Sequence, residues 1–168
     1  MDSHRFLTEG YKRKHINSLQ NIECFFFIIM DLISEHNKLL ERQKRITGIA
    51  MKVYNKYHGG LLESAYECAI KFLLEQDGHK VEEQKELPMY WENVKLDKTY
   101  RMDLVIDDDI IVELKAIKYV TEEHRRQLRN YMNLTHIQWG MLINFSPNRV
   151  YSEWYKREDD KIERVSLM

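Results

Sequence analysis

An α/β domain is predicted by three features of this 168-residue sequence. Two stretches with apolar residues at helical period lie on either side of Gly59-Gly60. Alternating apolar runs follow, bounded by turn residues. A third helical stretch, opened by Thr121, interrupts those runs. The predicted order is α-α-β-β-β-α-β-β, without internal repeats or a low-complexity linker.

Each element has its own signal. Ile46, Ile49, Ala50, Val53, Tyr54 and Tyr57 form one apolar helical face, ended by the two glycines. Leu61, Leu62, Ala65, Tyr66, Ala69, Ile70, Leu73 and Leu74 mark a second helix, stopped by Gly78. Val81–Trp91 and Thr99–Ile106 read as strands, with Pro88 marking an edge or a bulge in the first. Ile110–Ile117 is a third strand. Thr121 can N-cap a helix running to about Leu134, and Glu122 and Glu123 suit its positive end. Ile137–Phe145 is a strand, Ser146-Pro147-Asn148 a turn, and Arg149–Tyr155 a last strand.

Composition narrows the chemistry. The sequence is 43% hydrophobic and 32% charged, as an ordinary globular protein is, and its formal net charge is -1. Contact with a polyanion must therefore come from a local patch. Two cysteines exclude a disulfide scaffold and a zinc cage, and no phosphate-binding glycine loop occurs. The apolar run Cys24–Met30 follows Lys12, Arg13 and Lys14, but Asp31 and Glu35 come at once and it is too short to span a bilayer. The expectation is a cytoplasmic protein without a membrane contact. The run is read as a segment packed on the domain. Alternatively, Met30 opens the natural product, and residues 1–29 lie outside it. The division expected is an extension over 1–38 and a single domain over 39–168.

The stretch MDLVIDDDIIVELKA, Met102–Ala116, carries the chemistry. If Asp107-Asp108-Asp109 is a three-residue loop, Ile106 faces Ile110 and Asp103 lies opposite Glu113. Asp103, Glu113 and Lys115 then share one face, while Leu104, Ile106, Ile110, Val112, Leu114 and Ala116 share the other. Opposed residues have Cβ atoms about 4.5–5.5 Å apart, where like charges repel. A divalent cation would offset that repulsion, because Mg²⁺ favours one or two carboxylates with water and phosphate oxygens. Taken alone, the pattern reads as a solvated face on which Lys115 neutralises an acid.

Two helices shift that balance. Glu63 and Tyr66 lie on one side of the second helix, and Gln127 and Tyr131 on one face of the third, beside Arg125, Arg126 and Arg129. Each alone suits an ordinary helix surface. Together they can direct polar groups at one hairpin face.

GLLESAY, with Gly60, Glu63 and Tyr66, resembles the motif of the GxxExxY family, part of the PD-(D/E)XK nuclease-like superfamily. Asp103, nine intervening residues and Glu113-Leu114-Lys115 resemble that superfamily's signature, with Met102 in place of its proline. Gln127–Tyr131 is similar to the QxxxY motif of the RecB-like branch. The motifs fall in the expected order between about Lys44 and Phe145.

The resemblance implies a restriction-endonuclease-like core: a mixed β-sheet with an antiparallel meander, flanked by helices. It also implies a metal-dependent nuclease that hydrolyses phosphodiester bonds in DNA or RNA, DNA being favoured. Asp103, Glu113, the backbone carbonyl of Leu114 and Glu63 would hold Mg²⁺ or Mn²⁺. Lys115 would position the attacking water, and Gln127 and Tyr131 would steady the site. Lys118, Arg125, Arg126 and Arg129 are expected to meet the nucleic acid. The alternative is a nuclease fold that binds nucleic acid or a partner without turnover.

Overall fold

The computed structural model describes residues 3–166, with side chains from Cys24 onward. Among the described residues, three helices, α1 (Ser3–Tyr57), α2 (Glu63–Gln76) and α3 (Glu122–Thr135), accompany six strands. These are β1 (Val81–Trp91), β2 (Val94–Ile106), β3 (Ile110–Lys115), β4 (Trp139–Phe145), β5 (Val150–Glu158) and β6 (Lys161–Val165). Contacts divide the chain into two compact units, with the boundary between Arg42 and Gln43. In the first unit Phe25, Phe26 and Phe27 are exposed. No helix of the described residues is long and apolar enough to cross a membrane.

In the second unit the strands form one sheet in sequence order, β1 to β6. All neighbours are antiparallel except β3 and β4, whose parallel pairing is made possible by the α3 crossover. Pro88 sits on the edge strand beside a register shift between Pro88 and Tyr90, because its missing N–H cannot join a regular ladder.

Both sheet faces are covered. One carries Leu104, Ile106, Ile110, Val112, Leu114, Met141, Ile143, Phe145 and Trp154 toward the buried Ile46, Ala50 and Val53 of α1 and Tyr66, Ile70 and Leu74 of α2. The other carries Val105, Ile111, Leu142 and Tyr155 against Leu128, Tyr131 and Met132 of α3. Gly140 sets how close α3 comes. A Cβ there would lie 2.5 Å from Met132 Sδ, so a larger residue would have to displace the Met132 and Leu128 side chains.

Several boundaries differ from the sequence expectation; β4, for instance, begins at Trp139 rather than Ile137. β2 begins at Val94, where Trp91 pairs with Val94 across a two-residue turn. The terminal strand β6 pairs with an extended β5, giving ladder partners to a segment whose three charges hid it. β3 stops at Lys115 because side chains take over its backbone groups. Ala116 N–H donates to Glu63 Oε1 (3.1 Å), while Asn144 exchanges hydrogen bonds with the N–H and C=O of Ile117.

Candidate active site

The hairpin register matches the spacing argument: Ile106 pairs with Ile110, Val105 with Ile111 and Leu104 with Val112. Asp107 and Asp108 make the loop with positive φ, which short polar side chains tolerate. Glu113 and Lys115 therefore fall on the face beneath α3, while the regular ladder with β2 ends at Leu104, one residue short of Asp103. That face is not solvated: the Glu113 side chain is 0% exposed and Lys115 12%.

Asp103 Oδ2 accepts the N–H of Leu114 at 2.7 Å, which fixes its carboxylate against β3. Lys115 Nζ donates to Glu113 Oε1 at 2.6 Å. Glu113 Oε2, in contrast, is buried and has no hydrogen-bond partner. Burial first, and Asp103 second, push the Glu113 carboxyl up to about 8, against the pull of Lys115. Burial raises Asp103 as well, opposed by the Leu114 N–H. Burial works against the Lys115 ammonium, but Glu113 outweighs it and holds the pKa above its ordinary value.

The GLLESAY stretch acts as one local device. Gly60 has φ of +109°, a conformation open to glycine at little cost, and it turns the chain into α2. Tyr66 O–H donates to the carbonyl of His58 (2.6 Å) and accepts from Leu61 N–H (3.2 Å). Its ring stacks on Phe145 at 4.0 Å between centroids. The loop is thereby pinned, and Glu63 at the start of α2 reaches the Ala116 N–H at the end of β3.

On α3, Gln127 Nε2 donates to Tyr131 O–H at 3.0 Å, and Tyr131 packs with Val105 and Ile111 on the carboxylate face. The basic residues separate. Arg125 is committed to Glu153 through Nε and Nη2, and Arg129 pairs with Glu122. Arg126 and Lys118 are exposed.

Two residues on this site went unread in the sequence. Gln84 holds a left-handed φ of +51° in β1, between residues that pair with Met102 and Leu104, and so opposite Asp103. Its amide donates to Glu67 Oε2 at 2.7 Å and also hydrogen-bonds the Asp103 carboxylate. Glu67 is buried, and that burial raises its pKa. The available signal was spacing, since Glu67 follows Glu63 by one helical turn.

Among the described residues, no group of three or more His, Cys, Asp or Glu is arranged as a metal cage. The donor set nevertheless fits a hard cation. Two carboxylates on facing strands, one with a buried and unpartnered oxygen, match the preference of Mg²⁺ for few protein ligands plus water and phosphate oxygens.

Among curated proteins, none matches this chain. Of the solved structures, the crystal structure of SSO0001 is similar with a TM-score of 0.47 and 17% identity, over 58% of this chain and 52% of that one, so this chain spans about half its length. The family model of the PD-(D/E)XK nuclease superfamily matches residues 40–157. That match takes in every strand of the carboxylate site and all three of its helical and hairpin motifs, and the chain belongs to the PD-(D/E)XK nuclease superfamily.

Proposed function

We propose that this chain is a divalent-metal-dependent nuclease that hydrolyses phosphodiester bonds in DNA, and that it belongs to the GxxExxY family within the RecB-like branch. The buried, unpartnered Oε2 of Glu113 beside Asp103 is the observation that carries the reading, because it leaves oxygen-donor capacity unused.

Asp103, Glu113, the carbonyl of Leu114 and Glu63 would hold Mg²⁺ or Mn²⁺. Such an ion supplies an activated water and neutralises charge on the phosphate. The chain's own groups supply the rest. Lys115, within hydrogen-bond reach of Glu113, orients the attacking water and stabilises charge building on the phosphate oxygens. The Leu114 N–H favours the ionised form of Asp103 against the effect of burial and fixes its carboxylate. Glu63 ties the start of α2 to the end of β3, so that the helix and the hairpin hold one geometry. Gln127 and Tyr131 approach from α3 and orient the scissile backbone.

The experiment is cleavage of labelled DNA and RNA in Mg²⁺, Mn²⁺ or EDTA, for wild type, Asp103→Asn and Lys115→Ala. Metal-dependent cleavage by wild type alone is the expected result. Cleavage undiminished in EDTA, or by either variant, would overturn the reading.

A further inference from the structure

β3 pairs with β2 only as far as Leu104, yet the β1–β2 ladder runs on to Trp91 and Val94. A two-stranded arm thus extends past the rest of the sheet. Strand alternation places Leu87, Met89 and Trp91 on one side of the arm, with Val94, Leu96, Lys98 and Tyr100 beside them. This is the α3 side: Leu87, Tyr100 and Met102 pack with Tyr131 and Val105, so β2 departs from strict alternation between Met102 and Leu104, opposite the left-handed Gln84. Toward the tip it is bare: Trp91 is 71% and Val94 64% exposed. An apolar surface of this kind facing water marks a binding site.

The surface also carries a cation and leads to a cavity. Lys98 Nζ lies 5.4 Å from the centroid of the Tyr100 ring. At the base of the arm, Met89, Tyr100 and Tyr131 floor a cavity of about 530 Å³, whose α3 wall presents Arg126, Gln127 and Asn130; Glu123 is its one acid. The cavity therefore reaches the Gln127–Tyr131 pair on the carboxylate face.

We propose that this arm and cavity bind single-stranded nucleic acid, with unpaired bases stacked on Trp91 and in the Tyr100 cavity, and the backbone led past Arg126 to the carboxylate site. This rests on the nuclease reading and names its substrate as single-stranded. A base face can stack only when unpaired, and a duplex buries that face. Few cations line the path, so phosphate contacts alone would hold a duplex weakly. A protein partner would use the apolar tip, but it would have no use for the amides and guanidinium of a cavity that shares Gln127 and Tyr131 with the carboxylate face.

Trp139 and Trp154 are buried, so quenching of the exposed Trp91 reports on the arm. The test titrates the full chain in EDTA with short oligothymidylate, oligouridylate and a duplex. Either single strand should quench Trp91 and bind at least tenfold more tightly than the duplex. By anisotropy of a labelled strand, Trp91→Ala should weaken binding by about tenfold or more, and Trp91→Phe should restore most of it. With Mg²⁺, Trp91→Ala should raise KM and leave kcat nearly unchanged. Equal affinity for duplex, unchanged binding by Trp91→Ala, or a dimer that Trp91→Ala converts to monomer would each overturn the proposal. Lys115→Ala should bind single strands normally. If cleavage requires Lys115 but ignores Trp91, the arm reading fails and the nuclease reading stands. Trp91-dependent binding without cleavage by wild type gives the reverse.

Discussion

Glu113 and Glu153 stand on the same sheet face, one on each side of Leu142, and both side chains are fully buried. Their surroundings are opposite. Glu153 receives both ends of the Arg125 guanidinium and the hydroxyls of Tyr151 and Tyr155. Burial alone would raise its pKa, but these donors outweigh it and hold the carboxyl down at about 2. Glu113 has Lys115 on one oxygen and nothing on the other, and sits at about 8. A buried acid that is fully paired is part of the scaffold. One left half-paired beside a second acid is ready to take a ligand.

The largest effect that would sharpen this contrast is catalytic. Lys115→Ala should lower the cleavage rate by about 10²–10³-fold, the usual cost of one charge-stabilising donor. The fold, followed by circular dichroism, should be retained. Arg125→Met comes next, and its effect should fall on stability. It leaves the Glu153 carboxylate buried without its main partner, at a cost of about 3 kcal/mol, near the lower end for an orphaned ion because both hydroxyls and Arg164 remain. Urea titration measures it. A loss of cleavage from Arg125→Met without a loss of stability would instead place Arg125 on the nucleic acid.

That last outcome would bear out the role the sequence suggested for Arg125, and the reason sequence and packing point to different partners is physical. Arg125, Arg126 and Arg129 look alike in sequence. Their fates depend on Glu153, two strands away on β5, and on Glu122, one helical face away, and only tertiary packing reveals the first. The hairpin was legible because its register is local: three aspartates close the loop, and alternation does the rest. Tyr66 was legible as a motif but not as a device, since its partners His58 and Phe145 depend on how α2 meets β4. The outer half of β2 was missed because Lys95, Asp97 and Lys98 are poor strand formers, and pairing with β1 overrides that preference.

Removing each acid in turn tests the contrast directly. In EDTA, Glu113→Gln should be neutral or stabilising, because it removes an acid that conflicts with Asp103. Glu153→Gln should destabilise, because it strands Arg125. Equal destabilisation by both would erase the distinction between a scaffold acid and a site acid.

The pH dependence of stability is the finest form of the comparison. Glu113 is easier to protonate in the folded chain than its ordinary 4.5 allows, so its contribution is fully present below about pH 4.5 and lost as pH rises through 8. Asp103, shifted the same way, adds to that limb. Glu153 has the opposite sign: its contribution is present above pH 4.5 and lost as pH falls toward 2. Metal-free stability should therefore decline on both sides of mildly acidic pH, by at most about 1.4 kcal/mol per unit for each single-proton limb. Mg²⁺ binds the deprotonated site of the folded chain only, so its stabilisation should grow along the neutral limb, where the metal-free protein weakens. Urea titrations in EDTA and in Mg²⁺ across this range check the signs. Glu113→Gln should flatten the neutral limb and abolish the Mg²⁺ increment while leaving the acid limb intact. Glu153→Gln should do the reverse. A neutral limb that survives in Glu113→Gln would assign the slope to another group, and the half-paired glutamate would lose its claim as the site's reserved ligand.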